Sequence, residues 1–589
     1  MKFYIFLSLL ISLSCNVIGS AGPSSLDTSF NSSGILNLPA ALPASTVQSL
    51  AIQPDGKIVY AGYVGNGSTS YGIVGRINAN GSPDLTFNAS GTQGYSILTP
   101  NGSSSLQSSL FDVQLQADGK IVVVGTTQQS GNNYFYLLIA RYLANGTLDI
   151  TTGSTTGFGT GGVGYTFVTP PSFIGAQLYG VAILANGSFI AAGTAISTQT
   201  GSNPTSTSPM IVQFTSLGIV NTAFGTSGYT IATSAQIANQ SFGGYNDIAI
   251  QNDGNFVATG YCGSKFQSPF GTYYASPVIG QMIVARYTST GVIEPYFNNG
   301  NILIPSSTIV GTISMGFAIK LQSDQKIIVV GMANPASAAN PSPTVASYTI
   351  MRLNINGSID TTFNSNGPIP GINQSIFNTT EQSSCQDVLI QPFDQKIVTA
   401  GMNTTPSGYF NLVVIRYEVD GTIDPSFDFT TNQTAGALQF RAVAITPDQK
   451  IVAAGIEAMT NYYLLFYQFL GGSTPELGIT STVNAYGYNP QDLTEFFYIN
   501  SYAQIIANPV AQAAAITLVN TIFLNYISAY ENQPGFNYIS YAYLMNTQLL
   551  AAQNSLNTIY TDATTQAQIT QFFNYIFERE NKLLVANRD

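Results

Sequence analysis

One short pattern, written seven times, limits this chain to an array of like units packed against each other. Its first copy is Leu50-Ala51-Ile52-Gln53-Pro54-Asp55-Gly56-Lys57-Ile58-Val59-Tyr60-Ala61-Gly62, an apolar run, a tight polar turn, and a second apolar run that ends in glycine. The turn recurs at Asp118-Gly119, Asn186-Gly187, Asp253-Gly254, Asp324-Gln325, Asp394-Gln395 and Asp448-Gln449, at spacings of 63, 68, 67, 71, 70 and 54 residues. Val, Ile, Ala and Phe in short runs on either side of Asp-Gly or Asn-Gly mark a β-hairpin, whose strands are termed a and b. A third run, strand c, follows a variable loop, as in Tyr71-Gly72-Ile73-Val74-Gly75-Arg76. A polar turn and a Leu-Asp-x-x-Phe-like segment then lead into strand d. Seven such units predict a mainly β fold, a seven-bladed β-propeller of four-stranded antiparallel blades.

Two details constrain the packing. Every strand b ends in glycine, at Gly62, Gly125, Gly193, Gly260, Gly331, Gly401 and Gly455, which implies either positive φ or a close approach that excludes a Cβ. The chain also begins with the last segment of the unit, Leu26-Asp27-Thr28-Ser29-Phe30, and the seventh unit lacks that segment after Phe469. Residues 26 to 38 are therefore expected to supply the outer strand of the last blade and to close the ring. A degenerate segment at Glu476, eight residues after Gln468, competes for the same position.

Arg and an acidic residue stand eight apart in five units: Arg76 and Asp84, Arg141 and Asp149, Arg286 and Glu294, Arg352 and Asp360, Arg416 and Asp424. The third unit has Gln213 and Asn221 instead. Joint loss of both charges is what a partly buried ion pair predicts, since removing one partner strands the other at a cost of about 3–5 kcal/mol. These five pairs are read as structural. The Asp of each a–b turn is read as a turn former and the following Lys as the solvated start of strand b.

Composition excludes several functions. Only 8% of residues are charged, Lys+Arg 17 against Asp+Glu 28, so no basic stripe exists for a nucleic acid. Histidine is absent, which removes Ser-His-Asp and Cys-His catalysis and His-ligated zinc. The acids are too dispersed for a calcium loop. No cofactor and no metal site is expected, and no catalytic residues stand out. Cys262 and Cys385 lie two units apart and are read as small buried thiols; Cys15 lies in the N-terminal segment.

That segment, residues 1–21, has a signal-peptide pattern: Lys2, an apolar core from Phe3 to Leu13, and Gly19-Ser20-Ala21. Export to an extracellular, periplasmic or cell-surface location is the expectation, with no transmembrane span after its removal. The propeller is assigned to 22–472. From 473 to 589 the texture changes to Ala, Gln, Asn, Leu and Tyr, and a small helical domain is expected. Its helices are placed after Asn489-Pro490, after Asn508-Pro509, at about 538–560 and at about 565–585. The stripe Ile516, Val519, Ile522, Phe523, Ile527 would pack inward. This tail could also serve oligomerisation.

Taken together, the turn Asp-Gly-Lys-Ile, the strand-b glycine, the strand-c Arg and the Leu-Asp-x-x-Phe segment resemble the delta-60 repeat family over about residues 26 to 472. The resemblance implies propeller repeats and transfers no catalytic residue. The length variation falls between strands b and c: from the glycine to the Arg or Gln of strand c the separation runs from 13 to 26 residues. Long loops on a rigid frame favour recognition. The longest, in the fourth unit, carries Lys265, Phe266, Phe270, Tyr273 and Tyr274 and is the candidate binding loop. The reading is an exported scaffold for an unknown protein or glycan ligand. The alternatives are a structural surface component and a hydrolase or lyase acting in the central channel.

Overall fold

The computed structural model describes residues 24–38, 46–65, 70–100, 107–128, 134–151, 157–200, 203–264, 280–306, 310–311, 313–334, 346–375, 382–392, 394–404, 410–430, 437–458, 462–470, 506, 508, 510–519 and 538–586. The chain divides into two compact units, the first reaching Gly472 and the second formed from Ser473 onward. Residues 1–21 and the segment around Glu476 lie outside the described residues.

The first unit is a seven-bladed propeller of four-stranded antiparallel blades. Blade 1 runs Thr46–Ile52, Ile58–Gly65, Ser70–Ile77 and Tyr95–Leu98 as strands a to d. Blades 2, 3 and 5 repeat this order, and blade 6 adds a long outer strand, Ile423–Thr430. In blade 4 the outer position is held by the Val284–Leu303 bridge. Blade 7 takes its strand d from the N-terminus: Ile35–Leu38 pairs antiparallel with Tyr462–Phe469, placing Ile35 opposite Tyr467 and Leu38 opposite Leu464. The ring is thus closed by the N-terminal segment.

Apolar alternation within the strands places one hydrophobic core between each pair of blades. Phe87 and Leu110 belong to the core of blades 1 and 2, Phe158 and Leu178 to that of blades 2 and 3. The core of blades 7 and 1 contains Phe30, Leu36, Val47 and Phe466, so the closing segment contributes burial as well as backbone pairing. The strand-a segments of successive blades pack on each other around the axis.

The strand-b glycines are explained by close approach. None has positive φ. A Cβ on Gly125 would stand 1.9 Å from the Ser109 carbonyl oxygen, and one on Gly193 1.9 Å from that of Gln177. The facing strand a carries an extra residue at this level in every blade, a β-bulge that presses its backbone onto strand b.

In blade 3 the Ser- and Thr-rich segment 197–208 belongs to the sheet: strands b and c continue as Phe189–Thr200 and Asn203–Phe214, joined by two residues. Pairing extends out to Thr200 opposite Asn203. Thr and Ser suit a pleated, half-exposed ribbon, which composition alone disguised as a linker.

The second unit contains helices at 510–519, Tyr538–Ile559 and Ala563–Ala586. Ala511, Ala515 and Val519, four apart, form the buried face of the first, against Leu549, Leu556, Ile569, Phe572 and Phe573. Ile516 flanks this core, and Ile522, Phe523 and Ile527 lie outside the described residues, as does the helix expected after Pro490. Asn508 caps the first helix, its Oδ1 accepting the Val510 N–H at 3.1 Å, and Asp562 caps the third through Thr565 N at 2.8 Å. Among the described residues no helix is long and apolar enough to cross a membrane.

Candidate functional site

Two sets of ionisable side chains are built into the propeller, one around the rim on the a–b turn face and one along the channel. The rim set begins with the Arg–Asp spacing. Arg76 Nε donates to Asp84 at 2.7 Å, Arg141 to Asp149 at 2.7 Å, Arg352 to Asp360 at 2.7 Å and Arg416 to Asp424 at 2.8 Å. Each guanidinium also lies over the Phe of the same unit, 4.4 Å from the ring centre for Arg141 and Phe158. Arg76, Arg141 and Arg352 then donate to a turn carbonyl of the next blade, at Ala144, Ser216 and Val419. A local ion pair thereby becomes a tie between blades. In blade 3, Asn221 donates to Gln213 at 2.5 Å, a neutral copy of the same contact.

Blade 4 departs from the expected pairing. Arg286 donates to Gln251 at 2.6 Å and to Asp253 of the a–b turn, while Glu294 stands 4.0 Å away and accepts from Asn255. Asn255 stands where blades 1, 2, 5, 6 and 7 have Lys, so Asp253 has no ammonium beside it and takes the guanidinium instead. The lysines are also corrected. Lys57, Lys326 and Lys396 are bonded to Asp84, Asp360 and Asp424 at 3.0, 3.0 and 2.8 Å, so each of these three carboxylates serves two cations, whereas Lys120 pairs with Asp118 of its own turn. Lys450 does the same for Asp27 of the closing segment at 2.8 Å, where Gln468 takes the place of Arg.

Burial works against ionisation of these carboxyls, but hydrogen bonds from Thr86 and Lys57 hold Asp84 well below the usual carboxylate range. Thr362 and Lys326 bring Asp360 down to about 2, and Lys396 and Ser426 act in the same way on Asp424. Such groups stay ionised, each held in place by its cations and a neighbouring hydroxyl.

The channel set was not picked out from the sequence. Asp112, Asp247 and Asp387 follow the strand-a bulge in blades 2, 4 and 6, where blades 1, 3, 5 and 7 have Ser49, Gly180, Ala318 and Ala442. Each carboxylate accepts the N–H of its own following residue at 2.8 Å. Each also accepts a strand-a N–H of the next blade: Val181 at 2.8 Å, Ile319 at 2.9 Å and Val443 at 2.8 Å. Strand a is the inner edge of its sheet, and these acids satisfy edge amides that no strand can reach. Between blades 1 and 2 the bridge is Ser49 Oγ donating to Asp112 at 2.7 Å. The signal was an Asp directly before Val or Ile in every second strand a.

Lys320, also on strand a, is the cation of this set, 3.4 Å from Asp247. The surrounding protein disfavours its charge, yet Asp247, Asp387 and Asp112 hold the ammonium well above its ordinary value. Desolvation and the charge of Asp247 push Asp112 up to about 6, and desolvation, reinforced by Asp247, pushes Asp387 up to about 7 against the pull of Lys320.

The bulge residue itself forms a girdle one step from these acids. Phe111 and Tyr179 of adjacent blades stand 5.4 Å apart, ring to ring. Arg441 of blade 7 donates to Gln386 of blade 6 at 3.4 Å, and Asn246 donates to the Gly316 carbonyl of the next blade at 2.7 Å. Gln48 of blade 1 completes the arc between Arg441 and Phe111. The candidate loop residues Lys265, Phe266, Phe270, Tyr273 and Tyr274 lie outside the described residues. Cys262 and Cys385 are buried and unpaired with each other, and burial pushes the Cys262 thiol up to about 12. No group of three or more acids or cysteines suited to a metal ion occurs among the described residues.

Three segments, residues 53–87, 116–151 and 394–427, match the family described as "Domain of unknown function (DUF5122) beta-propeller". Each spans an a–b turn and the strand-c Arg with its acidic partner, and the first and third also include the Asp-x-x-Phe segment, at Phe87 and Phe427. No curated protein matches the chain in sequence. Among solved structures, the chain is similar to the polysaccharide lyase Uly1, with 10% identity over 71% of this chain and 89% of that one and a TM-score of 0.38. A catalytically inactive virginiamycin B lyase from Staphylococcus aureus gives 10% identity, 73% and 98% coverage and 0.36. The propeller domain of the trilobed protease from Pyrococcus furiosus gives 8%, 74%, 97% and 0.36.

Proposed function

We propose that this protein is an exported binding scaffold built from delta-60 repeats, which presents a protein or glycan ligand site on the face formed by the b–c and blade-to-blade connections. The observation that carries this reading is the asymmetry of the two faces. On one face the rim charges are spent on ties between blades, and the turn from strand a to strand b is five residues in blades 1 to 5 and 7. On the other, the connection from b to c ranges from two residues in blade 3 to the sixteen residues 264–279 in blade 4. A frame that holds one face constant while the other varies suits recognition by loops. The signal-peptide pattern of residues 1–21 supports export, and the scarcity of cations argues against nucleic acid as the partner.

A channel hydrolase or lyase has one observation in its favour, the three channel acids with Lys320. Each of those acids, however, already accepts two backbone N–H groups, which is the arrangement of a structural brace. A purely structural surface component is the remaining alternative.

The test compares the full chain with a variant in which residues 264–279 are replaced by Asn-Gly. Both are assayed on immobilised glycans and surface proteins, with thermal unfolding as a control. Binding that is lost in the variant at unchanged melting temperature supports the scaffold. Turnover of a small molecule by a chain that binds neither class of ligand would sink it.

A further inference from the structure

We infer that the turn face of blades 4 to 6 is a docking surface for a basic, amphipathic segment of a partner protein, with Tyr296 as its anchor. This surface lies on the face opposite the variable loops and is a second contact, separate from the one proposed there.

In most blades the turn from strand c to strand d closes on hydroxyl groups. Ser82, Thr147, Ser358 and Thr422 each donate to the Asn or Asp two residues earlier, and Thr86, Thr362 and Ser426 donate to the rim carboxylate. Blade 4 has neither. Val292 and Tyr296 stand at these two places, 60% and 83% exposed, and Glu294 receives from Tyr296 only its backbone N–H, at 3.3 Å. An exposed apolar or aromatic side chain in place of a bonded hydroxyl adds nothing to the fold, and such a local departure from the repeat is expected where a residue serves an outside contact.

The apolar surface continues around the rim. Arg352 donates both to Thr362 and to the Val419 carbonyl of the next blade, so these two positions adjoin. Their equivalents one blade earlier are Tyr296 and Ile355. The Asn298 N–H donates to the Asn356 carbonyl there, as Asn364 does to Asp420 in the following blade, which keeps the placement the same. Ile355, Val419 and Ile423 are all exposed. On blades 1 and 2 only one large apolar side chain is exposed on each described turn, Leu85 and Ile150.

Charge decides the occupant. The cations of this arc are already engaged: Arg286 and Lys326 stand in ion pairs and are 9% and 30% exposed, while their partners Asp253 and Asp324 are 46% and 54% exposed. A Cβ on Gly56 would lie 3.3 Å from that of Ala79, so Ile355, at the Ala79 position of blade 5, lies against the a–b turn that carries Asp324. Asp420, exposed beside Val419, accepts from Thr422 and forms no ion pair among the described residues. Solvent therefore meets apolar side chains edged with carboxylates. Such a surface repels a second copy of itself and anionic lipid headgroups, and it attracts Lys and Arg that flank an apolar stripe.

The test measures fluorescence anisotropy of a synthetic Lys/Leu amphipathic helix on the full chain, with a Glu/Leu helix as control. Salt-sensitive binding of the Lys/Leu helix alone is expected. Val292→Ser with Tyr296→Thr restores the hydroxyls of the other blades and should weaken binding at least tenfold at an unchanged or higher melting temperature. Asp324→Asn with Asp420→Asn keeps both turns, since Asn186 and Asn356 already serve at those places in other blades, and should weaken binding about threefold and flatten its salt dependence. The inference is overturned if the two helices bind alike, or if binding of the Lys/Leu helix survives both pairs of substitutions. It is equally overturned if the full chain binds anionic vesicles or dimerises in sedimentation and loses that property with the Val292→Ser, Tyr296→Thr pair, because the face then has a different occupant. Replacement of residues 264–279 should leave Lys/Leu binding unchanged, and its loss in that variant alone would move the contact to the loop face and overturn the inference.

Discussion

The rim and the channel of this propeller solve the same problem, a carboxylate inside a protein, with opposite electrostatic results. At the rim, Asp84, Asp360 and Asp424 are each held by an Arg, a Lys and a neighbouring hydroxyl, and stay ionised far into acid. In the channel, Asp112 and Asp387 are held mainly by backbone N–H groups of two blades, and desolvation lifts them to about 6 and about 7. The difference teaches that a hydrogen bond from an amide organises a carboxylate without fully offsetting its lost hydration, whereas a cation does both.

The contrast predicts unequal mutations. Asp424→Ala leaves Arg416, which is 1% exposed, without its carboxylate, while Lys396 keeps Glu418, and should cost about 3–5 kcal/mol in urea unfolding. A loss below about 1 kcal/mol would mean that the rim clusters are not the ties described. Gly125→Ala attacks the bulge that seats Asp112, because its Cβ would meet the Ser109 carbonyl. A cost of about 1–3 kcal/mol is expected from overpacking, read by the same denaturation midpoint.

The pH dependence separates the two sets by sign. A channel acid with a raised value binds more protons folded than unfolded, so its contribution is full below about pH 4 and is lost as pH rises toward 7. A rim acid with a lowered value contributes above about pH 4 and loses that contribution as pH falls further. Melting temperature measured from pH 4 to 8 should therefore decline less steeply in Asp112→Asn, Asp387→Asn than in wild type. An unchanged slope would remove the channel acids from this role. The smallest effect is expected in blade 3. Gln213→Arg alone introduces an unpaired buried cation and should destabilise, while adding Asn221→Asp should recover the loss, with a coupling of about 0.5–3 kcal/mol in a double-mutant cycle.

These two regions were not equally legible. The rim pairs could be read because both partners lie in one unit at a fixed spacing of eight, across one turn. Even there Arg286 turned to Asp253, since a spacing does not weigh a second acid brought close by the a–b turn. The lysines were misread as solvated because their carboxylate lies 27, 34 or 28 residues away in the chain for Lys57, Lys326 and Lys396. The channel acids left only a faint trace, an Asp before Val or Ile. Their partners are backbone amides 56 to 72 residues distant, and amides have no sequence signature.

Periodicity alone determined that the chain makes seven antiparallel blades and offered the segment around Leu26-Asp27 as the closing strand against a rival at Glu476, a choice decided by the pairing of Ile35–Leu38 with Tyr462–Phe469. Only the tertiary structure decided that the strand-b glycine lies inside the strand, not at its end as expected, and why it must be glycine, by pressing the bulged strand a onto it. It also decided that three dispersed aspartates stand together around one axis, since convergence on that axis is a property of the closed ring and of no single blade.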